Sequence, residues 1–175
     1  PPLVVSAFAS DARLCLAAEA AGDENEIEAA LKVMELLDLT GKIITADALH
    51  CHHRMTEAVT AKKADYVLAL KGNRPDWLAQ ATQHFEMKPG KTSAKDLAKT
   101  HGRFEWRKAE VIAADHPLTK GHAAFIRITS ARDSCETVTR YYMASKLFAA
   151  KDALAIVRAH WQIENNLHWM LDVHL

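Results

Sequence analysis

Four side chains able to hold a metal, His160, Glu164, His168 and Asp172, recur at steps of four near the end of this 175-residue chain. On a helix that spacing sets them along one slowly drifting stripe, from which a carboxylate can reach a ligand on a neighbouring element. The alternative is a solvated face with i,i+4 pairs of His and Glu. Trp161, Asn165, Asn166 and Trp169 crowd the same turns, a heavy load for a face that only meets water. A further acid, Asp47, closes the short apolar run Ile43-Ile44-Thr45-Ala46. At a strand mouth such an acid either faces a cation or caps the next helix. Carboxylate donors suit hard divalent ions, so divalent-cation chemistry is what these residues could do.

Other signatures are missing or poorly spaced. The chain contains no GxGxxG, Walker loop, HExxH or GxSxG, which removes the best-signalled nucleotide-binding, metalloprotease and esterase readings. His50-Cys51-His52-His53 suggests a zinc site and, with it, an unrelated metal-dependent hydrolase. Adjacent His52 and His53 would diverge by about 100° on a helix, which does not bring them onto one ion.

The elements that must position these groups follow from periodicity. Leu3 to Ala9 and Ala12 to Ala18 read as a hairpin turning at Ser10-Asp11. Asn25 precedes an apolar stripe of Ile27, Ala30, Leu31, Met34, Leu37 and Leu39, with Glu26 and Glu28 in the first turn, so a helix is expected to run toward Gly41. A strand ending at Asp47, a helix over 52–64, a strand over 65–70 and a helix over 75–85 then predict a parallel α/β core. In such sheets ligands sit beyond the carboxyl ends of the strands, where Asp47 and Lys71-Gly72-Asn73 emerge. Residues 86–101 lack periodicity and read as a basic loop. Three β-rich stretches follow over 103–113, 123–129 and 136–145, and a helix over about 149–173 closes the chain.

Composition sets the outer bounds. With 49% apolar residues and 22 basic against 22 acidic side chains, the chain fits one globular domain that needs no disulfides. Its charge is uneven: residues 1–38 sum to −6 and the remainder to +6, which suggests a polyanionic partner for the later part. The stretch from Lys88 to Lys108 carries seven basic residues and is the expected place for nonspecific phosphate contact. Cys15, Cys51 and Cys135 form no CxxC pair, which favours a reducing, cytoplasmic setting. The start at Pro1-Pro2-Leu3, running straight into a strand, reads as a piece of a longer protein.

The string His160-Trp161-Gln162-Ile163-Glu164-Asn165-Asn166-Leu167-His168-Trp169-Met170-Leu171-Asp172-Val173 resembles the HW-x-IEN-x-LHW-x-LDV signature of bacterial insertion-sequence transposases in the H-repeat-associated branch of the DDE superfamily. Val5 to Ala9 resembles that family's opening hairpin, Ile44 to Ala48 its second-acid strand, and Tyr66 to Asn73 its next strand and loop. His101-Gly102-Arg103 and Arg140-Tyr141-Tyr142 fit as well, so the resemblance covers nearly the whole chain.

The resemblance implies an α/β, RNase-H-like mixed sheet with flanking helices and a β-rich insertion before the C-terminal helix, the insertion and basic loop spanning 86–145. It also implies Asp47 and Glu164 as catalytic acids and ligands of two Mg²⁺ or Mn²⁺ ions. Two such ions about 3.5 to 4 Å apart serve phosphodiester cleavage in line. Water would cut a transposon end, and the freed 3′-hydroxyl would attack target DNA. Double-stranded DNA is therefore the expected partner, with Lys71, Asn73, Arg158, Asn165 and His168 as candidate contacts and a homo-oligomer as the expected assembly. Two departures accompany the match. The Asp-Gly-Lys segment holding the family's first Asp has no counterpart here, so this piece alone is expected not to cleave DNA. The Tyr, Arg and Lys that surround the catalytic Glu in the wider superfamily are not kept either: Leu171 stands seven after Glu164 and His160 four before. A noncatalytic DNA-binding or interaction remnant is the second reading these departures leave open.

Overall fold

The computed structural model describes residues 3–21, 25–88, 92–100, 103–132 and 136–161. It opens with a hairpin of β1 (Leu3–Ala9) and β2 (Leu14–Ala21), a separate two-stranded sheet. The turn sets Arg13 at φ 53. Helix α1 (Glu26–Glu35) packs beside this hairpin. The Asn25 side chain accepts from the Glu28 amide at its start, filling one of the donors that a helix N-terminus leaves open.

The apolar stripe of α1 predicts a longer helix than forms. It ends at Glu35, and Lys62, the C-cap of the next helix, donates through Nζ to Glu35 O at 3.1 Å and, just past that end, to Leu37 O at 3.0 Å. Leu39 keeps its place in the core all the same, at 6% exposure.

The main sheet has six strands in the order β3-β4-β8-β7-β6-β5: β3 (Ile43–Ala46), β4 (Asp65–Leu70), β5 (Thr92–Thr100), β6 (Arg103–Ala113), β7 (Ala124–Arg132) and β8 (Val138–Ala144). Only β3 and β4 are parallel; every other pair is antiparallel. This is the mixed sheet of an RNase-H-like α/β fold. Helices α2 (His53–Ala61) and α3 (Pro75–Met87) follow β3 and β4. A fourth helix, α4, occupies 150–161 within the described residues.

Strand β4 shows why its sequence lacks alternation. Tyr66, Leu68 and Leu70 join one core cluster with Met55, Val59 and Phe85, while Val67 and Ala69 join the other with Leu154 and Val157. A strand buried on both faces reads as a continuous apolar run. Helices α1, α2 and α3 therefore cover one face of the sheet, and α4 covers the other.

Two sequence expectations shift. The helix expected over 52–64 forms as α2 (His53–Ala61), preceded by an unforeseen 3-10 turn at Ala48–His50. Much of the foreseen basic loop is the edge strand β5, whose pairing with β6 is set by partners such as Asp96 with Arg107 and Leu97 with Trp106. The antiparallel half also buries a carboxylate. Glu110, its side chain 3% exposed, meets Lys108 at 2.8 Å and Arg127 at 2.7 Å. Burial alone would raise its pKa, but the hydrogen bonds from both cations outweigh that and leave it below the usual value.

A candidate metal and DNA site at the strand ends

Strand β3 carries Thr45 and ends at Ala46, and Asp47 follows directly as the first residue beyond it. Asp47 begins the 3-10 turn in an extended conformation, yet its carboxylate makes no capping bond, and the side chain is 56% exposed. The capping role that would otherwise account for it is not exercised. From the loop after β4, Asn73 Nδ2 donates to Ala48 O at 2.8 Å and Arg74 Nε to Cys51 O at 3.0 Å. Two side chains of one strand-end loop thus brace the turn that presents the acid on its neighbour.

Helix α4 completes the arrangement from above. Its His160 places Nδ1 3.0 Å from Thr45 Oγ1 and Nε2 3.8 Å from Asp47 Oδ1. Nε2 is buried and has no hydrogen-bond partner among the described residues. A separation of 3.8 Å lies beyond hydrogen-bond range, so imidazole and carboxylate face each other without being joined.

Around this pair opens a cleft of about 1260 Å³ whose walls include Asp47, Lys71, Arg107, Arg140, His160 and Trp161. The guanidiniums of Arg107 and Arg140 sit over the Trp161 ring at 5.6 and 5.3 Å from its centroid, within cation–π range. Arg107 is also engaged by Glu105 at 2.6 Å, both side chains 12% exposed. Lys71 and Arg140 are exposed and make no ion pair among the described residues, leaving two cations on the cleft wall.

The sequence-predicted residues divide accordingly. Asp47 and Lys71 line the cleft; Asn73 lies behind it as a brace. Arg158, foreseen as a DNA contact, instead pairs with Asp96 of β5 and fastens α4 to the sheet. Glu164, Asn165 and His168 lie outside the described residues. In sequence Arg107 belongs only to the basic stretch Lys88–Lys108, Arg140 only to the family match and Trp161 only to the crowded turns, with nothing to join the three. The strand ladder from β6 through β7 to β8 brings the two arginines to one indole, and no local spacing records that pairing. His160 had a signal, its place in the histidine and acid stripe. The histidines of 50–53 serve separate structures. His52 Nδ1 accepts from Met55 N to cap α2, and His53 Nδ1 lies 2.9 Å from Thr119 Oγ1. Burial lowers the pKa of His50 and His52.

Residues 4–175 match the family described as Transposase DDE domain. The chain belongs to that family. Among similar proteins, "Putative transposase YncI" of Escherichia coli O157:H7 is 31% identical over 98% of this chain and 48% of its own length. The "H repeat-associated putative transposase YhhI" of Escherichia coli (strain K12) is 31% identical over 97% of this chain and 50% of its own. The chain spans about half the length of these curated relatives.

DDE transposases generally use divalent metals, and the cleft can be tested for fit to one. Asp47 supplies an exposed, uncapped hard donor, and an orphaned imidazole nitrogen stands opposite it. Among the described residues no three His, Cys, Asp or Glu side chains gather at one point. The donors that are in view nevertheless have the right chemistry, oxygen first, for Mg²⁺ or Mn²⁺. No described helix is long and apolar enough to cross a membrane.

Proposed function

We propose that this chain is the catalytic domain of a DNA transposase, in which Asp47 and Glu164 jointly hold divalent cations and the cleft beside them receives a DNA strand. The approach of His160 to Asp47 at 3.8 Å carries the reading. It brings the described end of α4 to the strand-end acid, and Glu164 follows His160 by four residues in the sequence. Bound divalent ions would activate an attacking oxygen and steady the leaving oxygen of a phosphodiester.

The chain's own residues do the rest. Asp47 offers its carboxylate from a turn braced by Asn73 and Arg74. Lys71 and Arg140 present positive charge on the cleft wall where backbone phosphates would pass. Water and then a DNA 3′-hydroxyl would act as the attacking groups. Among the described residues β3 is an outer strand paired only with β4, and such an edge favours a homo-oligomer.

Calorimetric titration of the chain with Mn²⁺ tests the central claim. Joint ligation requires that Asp47→Asn and Glu164→Gln each weaken binding at least about tenfold, a loss of about 1.4 kcal/mol. An affinity unchanged by either substitution refutes the shared site.

A further inference from the structure

We infer that His160 is itself a metal ligand, donating through Nε2 beside Asp47, so that the site is a mixed nitrogen and oxygen centre that takes Mn²⁺ in preference to Mg²⁺. The inference rests on the metal reading above and adds to its carboxylate set a donor of another kind.

The geometry points this way on three counts. First, Nε2 is buried, makes no hydrogen bond and stands 3.8 Å from an exposed carboxylate oxygen. Two donors each about 2.1 Å from one ion stand between about 3.0 Å apart at a right angle and about 4.2 Å apart when opposed. The observed 3.8 Å falls inside that interval and outside the range of a hydrogen bond. Second, Nδ1 already has a partner in Thr45 Oγ1 at 3.0 Å. If the hydroxyl accepts the Nδ1 proton, the lone pair is left on Nε2, the tautomer a metal requires. Third, Thr45 on β3 and Asp47 just past its end lie two residues apart and both face His160, so the brace and the second donor come from a single backbone segment. A hydrogen bond at the second ring nitrogen is what fixes the tautomer and ring orientation of a metal-bound imidazole.

An imidazole nitrogen changes which ion is favoured. Mg²⁺ prefers hard oxygen donors and keeps its waters, whereas first-row transition ions accept nitrogen. Mn²⁺ also serves as its own probe, because its unpaired electrons register nitrogen nuclei bound to it.

The experiment is pulsed electron paramagnetic resonance on the 175-residue chain loaded with Mn²⁺, reading ¹⁴N modulation. The chain should show directly bound nitrogen, and growth with ¹⁵N-histidine should convert the signal to ¹⁵N coupling without any substitution. His160→Ala and His160→Gln should abolish it, weaken Mn²⁺ binding about tenfold and change Mg²⁺ binding less than twofold. Thr45→Val should keep the nitrogen signal and still weaken Mn²⁺ about tenfold. Mn²⁺ bound in an Asp47-dependent way with no nitrogen modulation overturns the role of His160 and leaves the shared acid site standing. Modulation that survives His160→Ala but disappears with His50→Ala moves the nitrogen to another ring and also overturns it. Absence of any Asp47-dependent Mn²⁺ binding overturns the metal reading itself, and this inference with it.

Discussion

Acidification should loosen the protein through His122, and the size of the effect can be worked out in advance. His122 is 5% exposed. Its Nδ1 accepts from Leu118 N at 3.1 Å, and its Nε2 lies 3.1 Å from Ala124 O, so the neutral ring closes the loop between β6 and β7. Burial is the main cause that pushes its pKa from 6.5 down to about 4; His84 adds to the fall, and the bond to Ala124 opposes it. The unfolded chain therefore binds this proton more readily than the folded one. Stability conferred by the neutral ring is complete above pH 6.5 and is lost as the pH falls toward 4. At 1.36 kcal/mol per pH unit, the interval is worth about 3 kcal/mol, of which about 2 kcal/mol has gone by pH 5. Domains of this kind are stable by only about 5–15 kcal/mol.

The assay is urea unfolding followed by circular dichroism at half-unit steps from pH 7.5 to 4.5, for the natural chain and for His122→Gln. The variant starts less stable because it loses packing against Phe125, whose ring centroid is 4.6 Å away, but its curve should be flatter by about 2 kcal/mol between pH 6.5 and 5. Two curves that run parallel through that window would refute the reasoning, since the proton would then not distinguish the folded from the unfolded ring.

Three further outcomes are expected. Glu110→Ala strands Lys108 and Arg127 beside a buried gap and should cost about 3–5 kcal/mol, seen as a lower urea midpoint. Because the pKa of Glu110 is lowered, its contribution in the natural chain is present above the unfolded carboxylate pKa and fades as acid carries the pH through the folded value. Lys71→Ala and Arg140→Ala should each weaken duplex DNA binding and make the slope of log affinity against log salt shallower by about 0.9, measured by fluorescence anisotropy; unchanged slopes would remove both from the interface. Iodoacetamide labelling at pH 8 read by peptide mass spectrometry should mark exposed Cys15 and spare Cys51, whose thiol is 1% exposed and pushed up to about 12 by burial.

Much of the α/β half was legible because its signals are local. The apolar run of β4, the acid-terminated β3 and the capped start of α1 each carry their own pattern within ten residues. Strand β5 does not. Thr92–Thr100 mixes Lys95, Asp96 and Leu97 without alternation, because an exposed edge strand is defined by the ladder it joins and not by a buried face. The site divides on the same principle. Asp47 and the motif beginning at His160 are read along the chain, whereas the meeting of Arg107, Arg140 and Trp161 exists only after three strands have paired. Arg158 looks like a free cation in sequence and proves to be committed, because its partner Asp96 stands 62 residues away.

Helix α4 is bonded to both margins of the sheet, through Thr45 on β3 and Asp96 on β5. It acts as a tie rod between the two borders: while both anchors hold, neither can splay without dragging the other. A load applied along the far border would thus be carried through two residues of helix, from Arg158 to His160, into the spacing beside Asp47.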